Sequence, residues 1–210
     1  MIFCRLDLYF FPILDIYTPI DRTILGYKEL FSPIRRFSMK KAAVIHDLSG
    51  FGKCSLTAAI PVLSALGVQC CPVATAVLTG QTGYPCYHCT DLTAMLPDYI
   101  DAWGKNNAHF DAIYSGFLTG AEQISQVLDF IRQFREEHTL LLVDPVMGDD
   151  GNAYPFFTPG LLNGMKELTL EADVITPNLT EACLLADIPE DALLHCRTNT
   201  DLLKLAEDVA

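Results

Sequence analysis

Three short stretches of the chain combine residue types and spacing suited to chemistry on phosphate and metal. The first is Val143-Asp144-Pro145-Val146-Met147-Gly148-Asp149. Asp144 stands where an apolar strand gives way to a turn, so its carboxylate can face a cleft, and Asp149 follows after the turn. Hard oxygen donors of this kind suit Mg²⁺, held partly through water and substrate phosphate. A turn rich in Pro, Gly and Asp accounts for the same residues without any ligand. The second stretch is Ile175-Thr176-Pro177-Asn178-Leu179-Thr180-Glu181. Asn178 can cap a helix, and Glu181, three residues on, is spaced as the acidic partner of a capping box. Local structure therefore explains both residues, and the functional reading adds a polar cluster with Thr176 facing Asp144. The third is His46-Asp47-Leu48-Ser49-Gly50-Phe51-Gly52-Lys53-Cys54-Ser55. Its glycines allow a tight turn and close approach of a ligand, and a helix N-terminus after it offers free amides. The G-x-x-x-x-G-K-[ST] spacing of a P-loop is absent. Asp47 can accept a hydrogen bond from a substrate hydroxyl or ring nitrogen, or it can simply close a turn with Ser49.

Other residues carry weaker signals. Cys86-Tyr87-His88-Cys89 offers only half of what a zinc site needs, with no second C-x-x-C, and reads as a lid-loop segment rather than a metal site. His46, at the end of an apolar strand, reads as a satisfied interior or rim residue. Trp103 reads as core.

These residues must be positioned by the elements around them. From Lys41 the chain alternates short apolar runs with longer amphipathic ones. Strands are expected at 42–46, 68–75, 111–114, 140–143 and 173–175. Helices are expected at 55–66 (perturbed by Pro61), 91–103 (capped by Asp91), 121–137, 179–186 and 201–209. In the 121–137 segment Ile124, Val127, Leu128, Ile131 and Phe134 fall on one face. Strands separated by helices imply right-handed crossovers and a mostly parallel sheet, with ligands beyond the C-terminal strand ends. Asp47, Ser115, Asp144 and Thr176 all fall at such ends.

The bulk numbers set outer limits. Half of the 210 residues are hydrophobic and 19% are charged, enough for one α/β domain with a real core. A net charge of -12 argues against a non-specific nucleic-acid binder, which needs a basic face. The eight cysteines, several in apolar runs, suggest reduced core thiols rather than a disulfide framework. No run reaches the length of a membrane helix, and a cytoplasmic location without membrane partners is expected. Residues 1–38 are aromatic-rich and broken by Pro12, Pro19 and Pro33. Met39 is the expected natural start, with 1–38 an extension outside the main domain, 39–210.

In combination the motifs resemble those of the vitamin B6 (pyridoxal/pyridoxamine) kinases of the ribokinase-like superfamily. D-P-V-M-G-D and I-T-P-N-x-x-E, in this order, are specific to that branch. Tyr114-Ser115-Gly116-Phe117-Leu118 and Thr79-Gly80-Gln81-Thr82-Gly83-Tyr84 resemble its substrate-side segments. The resemblance covers about 40–189. It implies a three-layer αβα fold with a mostly parallel central sheet. It also implies ATP-dependent phosphorylation of the hydroxymethyl group of pyridoxal, pyridoxine or pyridoxamine, with Mg²⁺ and possible use of a monovalent cation. Asp47, Ser49, Thr82 and Phe117 would contact the B6 vitamer. Asp144, Asp149, Thr176, Asn178 and Glu181 would serve ATP and its phosphates, with Asp144 and Glu181 toward the metal. A homodimer is usual in the family.

Two departures stand out. The family's lid-side Ser-Asn-His-Thr run here reads Thr79-Gly80-Gln81-Thr82. The family's closing G-x-G-D turn, which supplies the anion hole and the basic Asp, has no counterpart after Glu181. The resemblance thus places the catalytic Asp beyond Ala210, names no catalytic residue within the chain, and implies a domain lacking its C-terminal part. Two rival readings follow: a hydroxymethylpyrimidine kinase of thiamine synthesis, and a catalytically dead ligand-binding fragment.

Overall fold

In the computed structural model the chain divides into two units, Met1–Ser38 and Met39–Ala210. The structure describes residues 39–188, all within the second unit. The proposed extension 1–38 and the helix expected at 201–209 lie outside the described residues.

The described elements, in chain order, are β1 (Lys41–Ser49), α1 (Ser55–Ala65), β2 (Gln69–Leu78), β3 (Cys89–Asp91), α2 (Leu96–Lys105), β4 (Ala112–Ser115), α3 (Ala121–Phe134), β5 (Leu140–Val143), β6 (Gly148–Asp149), β7 (Asn152–Ala153), α4 (Pro159–Leu170), β8 (Val174–Ile175) and α5 (Leu179–Leu185). Six strands form one sheet in the order β3-β2-β1-β4-β5-β8. All neighbours pair parallel except β2 and β3, which pair antiparallel.

This order fixes where the helices lie. From β1 the chain steps to β2 on one side, and later strands add on the other side through β4, β5 and β8. A right-handed crossover in one direction puts its helix on one face, and in the other direction on the opposite face. Accordingly Leu56 of α1 packs with Ala42 and Val44 on one face of β1. Leu96 of α2, Ile124 and Val127 of α3, and Met165 and Leu168 of α4 pack with Ala43 and Ile45 on the other. The result is three layers, αβα. Between β1 and β4 the strand order reverses direction, the position at which open sheets of this kind bind ligands.

The larger core is aromatic at one end. Trp103, Phe110, Phe130 and Phe134 form successive ring contacts with centroids 4.6–6.1 Å apart. Burying each such side chain contributes about 1.5–3 kcal/mol, so α3 is anchored by its apolar face rather than by helix propensity.

Several boundaries differ from the sequence expectation for identifiable reasons. β1 runs on to Ser49 and β2 to Leu78, because the two strands stay paired beyond His46, with a register shift between His46 and Leu48. Asp91 does not begin a long helix. Its backbone is held extended opposite Ala76, while its carboxylate takes the Thr93 N–H at 2.7 Å and opens a 3₁₀ turn before α2. α3 stops at Phe134 because Arg135 is extended and its guanidinium reaches the Glu171 carbonyl and Asp173. α4 was not anticipated. Its signals are local: Thr158 caps it by accepting from the Leu161 N–H at 3.1 Å, a proline occupies its first turn, and Leu161, Met165 and Leu168 are buried.

Candidate active site

A cleft of about 530 Å³ opens at the C-terminal ends of β1, β4 and β5. Its lining includes Asp47 and Ser49 from β1, Thr82 from the loop after β2, Phe117 from the loop after β4, and Asp144 immediately after β5. The sequence separates these residues by nearly a hundred positions, and the switch point brings them together.

The β1 side is built on a short polar pair. Asp47 is 4% exposed and its Oδ2 accepts from the Ser49 hydroxyl at 2.8 Å. One carboxylate oxygen is thus committed to the turn with Ser49, as the turn reading of Asp47 expects. The loop that follows folds over β2: Gly50 N–H donates to the Leu78 carbonyl, and Gln81 N–H to that of Phe51. Gly52 has φ +98, with the Gln81 side chain 3.0 Å from where its Cβ would stand, so a side chain there would be strained and crowded. Phe51 and Tyr84 close the contact, ring to ring, at 4.9 Å.

Opposite stands an aromatic wall. Phe117 meets Phe156 edge-on with centroids 5.9 Å apart, and Tyr154, Pro155 and Phe156 line the cleft. This wall leaves the β6–β7 hairpin, whose two-residue turn, Asp150-Gly151, has positive φ at both positions. Asp-Gly suits a turn of that kind.

The first turn of α5 clasps the hairpin. The Glu181 carboxylate accepts the Asn178 N–H at 2.9 Å and the Met147 N–H at 3.1 Å. Asn178 accepts the Glu181 N–H at 3.0 Å and donates its amide to the Gly148 carbonyl at 2.8 Å. The Thr180 hydroxyl accepts the Gly151 N–H at 2.9 Å. The capping box expected from sequence is present and also positions the segment leading to the aromatic wall. Thr176 donates to Asp144 at 3.3 Å. Asp149 is exposed and accepts the Asp150 N–H.

The electrostatics of this side are one-signed. Burial raises the pKa of Asp144 against the Thr176 hydrogen bond. Burial raises that of Glu181 too, helped by the Asp144 charge and opposed by the backbone N–H groups it accepts. Tyr154 is pushed up by burial and by Asp149, Glu181, Asp144 and Asp150. No ion pair among the described residues involves any of these acids.

His46 departs from expectation. It is 3% exposed, as an interior residue would be, but neither ring nitrogen has a hydrogen-bond partner. Burial lowers its pKa to about 4 despite the neighbouring Asp47 carboxylate. Its ring lies against Tyr114, centroids 4.4 Å apart, and a Cβ at Gly116 would overlap it.

The sequence pattern of the phosphomethylpyrimidine kinase family matches residues 52–209, three quarters of the chain. The chain belongs to that family. Among curated relatives, the Bordetella avium pyridoxine/pyridoxal/pyridoxamine kinase is 35% identical over 143 residues, covering 64% of this chain and 47% of that protein. The Pasteurella multocida pyridoxal kinase PdxY is 37% identical over 82 residues, covering 38% and 28%. A Bacteroides thetaiotaomicron protein provisionally assigned as a phosphomethylpyrimidine kinase, crystallised with pyridoxal, superposes with a TM-score of 0.74. It is 44% identical, with 81% of this chain and 59% of that chain covered. The Lactobacillus plantarum pyridoxal kinase gives a TM-score of 0.69 at 32% identity, covering 81% and 60%. The chain spans less than half the length of these curated relatives and about three fifths of the solved chains. The ribokinase-like αβα fold expected from the motifs is the fold shared with these kinases.

Within this phosphomethylpyrimidine kinase family member, Asp47, Ser49, Thr82, Phe117 and Asp144 share the cleft. Thr176 adjoins it through Asp144. Asn178 and Glu181 belong to the clasp behind the wall, and Asp149 to the hairpin strand. Sequence reasoning did not single out Tyr154, Pro155 and Phe156; a Tyr-Pro-Phe-Phe run after an Asp-Gly turn was the available signal. Among the described residues, no group of three or more His, Cys, Asp or Glu side chains is arranged to hold a metal by itself, and Cys86 and Cys89 are free and exposed.

Proposed function

We propose that the protein serves ATP-dependent phosphorylation of the hydroxymethyl group of a B6 vitamer: pyridoxal, pyridoxine or pyridoxamine. The observation that carries this reading is the gathering of Asp47, Ser49, Thr82, Phe117 and Asp144 around one cleft at the switch point. The pyridoxal kinases among its relatives point to the same substrate class.

An aromatic ring ligand suits a cleft with Phe117 and Phe156 on one side and hydrogen-bonding groups on the other. The Asp47 oxygen not taken by Ser49 accepts from the ring's hydroxyl or protonated nitrogen, and Thr82 adds a second polar contact. In the reaction a substrate oxygen–phosphorus bond forms and the bond from the γ-phosphorus to the bridging oxygen of ATP breaks. ADP leaves and the substrate hydroxyl loses its proton. No described residue is assigned as the base that takes it. Phosphoryl transfer depends mainly on positioning and charge neutralisation.

The donor set fits Mg²⁺. Asp144 and Glu181 are hard oxygen donors whose pKa values burial raises, and no Lys or Arg pairs with them among the described residues. Asp144 would hold the ion directly. Glu181, both of whose oxygens already accept backbone N–H groups, would hold it through water. When bound, the ion supplies charge neutralisation for the ATP phosphates. Asp149, Thr176 and Asn178 are assigned to the surrounding phosphate shell.

A second reading, hydroxymethylpyrimidine kinase, is favoured by the family pattern that matches the chain. Incubating the protein with labelled ATP, Mg²⁺ and either pyridoxal or hydroxymethylpyrimidine separates the two. Label in pyridoxal phosphate supports the first reading, label only in the pyrimidine the second. Label in neither, with no binding of either ring, removes both. The same proposal places the kinase unit at 39–210, in the cytoplasm, as a homodimer. Among the described residues no helix is long and apolar enough to cross a membrane.

A further inference from the structure

A buried polar cluster that the reading above does not use is joined to the cleft through the backbone of Phe117. Its centre is Gln123, in the first turn of α3 and fully buried. The Gln123 side-chain amide donates to the Thr75 carbonyl at 2.9 Å and to the Thr93 hydroxyl at 3.1 Å. Its carbonyl oxygen accepts the Thr119 N–H at 2.9 Å. Thr75, also fully buried, donates its hydroxyl to the Phe117 carbonyl at 2.8 Å and accepts the Leu92 N–H at 3.0 Å. Thr119 donates its hydroxyl to Asp91, which also takes the Thr93 N–H.

The cluster ties together four segments: β2, the turn after β3, the loop after β4, and α3. Both donors and the acceptor of the Gln123 amide are used, so no alternative pairing competes. Two of its bonds hold the backbone just after Phe117, at the Phe117 carbonyl and the Thr119 N–H. On the other side the Gly116 N–H donates to the Ile45 carbonyl of β1 at 3.0 Å, so the Phe117 segment is fastened at both ends. Thr75 also lies in the β2 stretch opposite Asp47, since His46 pairs with Ala74 and Leu48 with Val77.

We propose that Gln123 and Thr75 are positioning residues: together they fix Phe117 as a rigid wall of the ring-binding subsite. The proposal rests on the B6-kinase reading for the nature of the ring. A loop residue held at a single backbone point samples several orientations; fastened on both sides, its ring is set before the ligand arrives, and the ordering cost of binding falls. Neither residue lines the cleft, so their removal should weaken ring binding without changing nucleotide binding.

The test uses the full chain and pyridoxal as the probe. Thr75→Val keeps the shape of the side chain and removes only the hydroxyl donor, whereas Thr75→Ser keeps the donor. Gln123→Glu keeps the acceptor for Thr119 and removes the donor to Thr75. Thr75→Val should weaken pyridoxal binding by ~10-fold, and Gln123→Glu, which keeps the Thr119 bond and loses the tie to β2, should weaken it less. Thr75→Ser should restore most of it, and the affinity for a non-hydrolysable ATP analogue should not move. In a cycle with Phe117→Ala, Thr75→Val should cost little once the ring is gone, because the two act as one unit. Amide exchange at Leu118 and Thr119 should quicken in Thr75→Val. If wild type binds pyridoxal and Thr75→Val binds it equally well, or if the cycle is additive, the positioning role is overturned while the kinase reading stands. If wild type binds neither pyridoxal nor hydroxymethylpyrimidine, the kinase reading falls and the proposal with it.

Discussion

Acidification should expose the cost of burying His46. The ring is 3% exposed, has no hydrogen-bond partner at either nitrogen, and titrates at about 4 instead of 6.5. In the unfolded chain it takes up a proton near its ordinary pKa; in the folded protein it resists until much lower pH. Protons therefore favour the unfolded chain between the two values. The stability linked to His46 is fully present above pH 6.5 and is lost as pH falls toward 4. At pH 4.5 the difference is about 2–3 kcal/mol, from 1.36 kcal/mol per pKa unit. Other groups with lowered pKa values, Asp91 and Asp111, also lose stability in acid, so the informative quantity is a difference between proteins. His46→Met has similar volume and does not titrate. Urea unfolding of both proteins at pH 7 and pH 4.5, compared through their midpoints and slopes, isolates the effect. Wild type should lose about 2–3 kcal/mol more than His46→Met over that interval. Equal losses would show that the imidazole is not held neutral by burial and would refute the reasoning.

Further outcomes follow from the same geometry. Glu181→Gln leaves one of the Met147 and Asn178 N–H groups facing a donor, which should cost about 1–3 kcal/mol in chemical denaturation and speed exchange of the Met147 amide. Mg²⁺ should stabilise the protein against heat increasingly as pH rises above the ordinary carboxylate range. The raised pKa of Asp144 extends proton competition upward, and Asp144→Asn should abolish the Mg²⁺ effect. Gly116→Ala forces a methyl into the His46 ring and should destabilise by about 1–3 kcal/mol, measured by the same unfolding transition. Phe130→Ala opens the aromatic end of the core and should cost about 3–5 kcal/mol.

The sequence was most informative where one local rule sufficed. The Asn178–Glu181 capping box could be read from two residues three apart, and α3 from its apolar spacing. Strand-end placement was enough to bring Asp47 and Asp144 to one cleft. What escaped depended on pairing or on weak local signals. Asp91 has the side chain of a cap, but its backbone is claimed by β2. α4 has only a modest apolar stripe, Leu161, Met165 and Leu168, and its Thr158-Pro159 start is a two-residue signal that many loops also carry. The β6–β7 hairpin is too short for an alternation pattern, although its Asp150-Gly151 turn was visible. That Glu181 spends both oxygens on backbone amides, and that Gln123 is buried rather than solvated, follows only from how separate segments pack.

Titrating the protein with pyridoxal, with Asp47→Asn alongside, bears most directly on the role of the cleft. Asp47→Asn removes the carboxylate that would face the ring while preserving an acceptor for Ser49. Saturable pyridoxal binding that Asp47→Asn weakens by at least ~10-fold is the expected result. Absence of saturable binding, or binding indifferent to Asp47, would contradict the assignment of this cleft to the ring substrate.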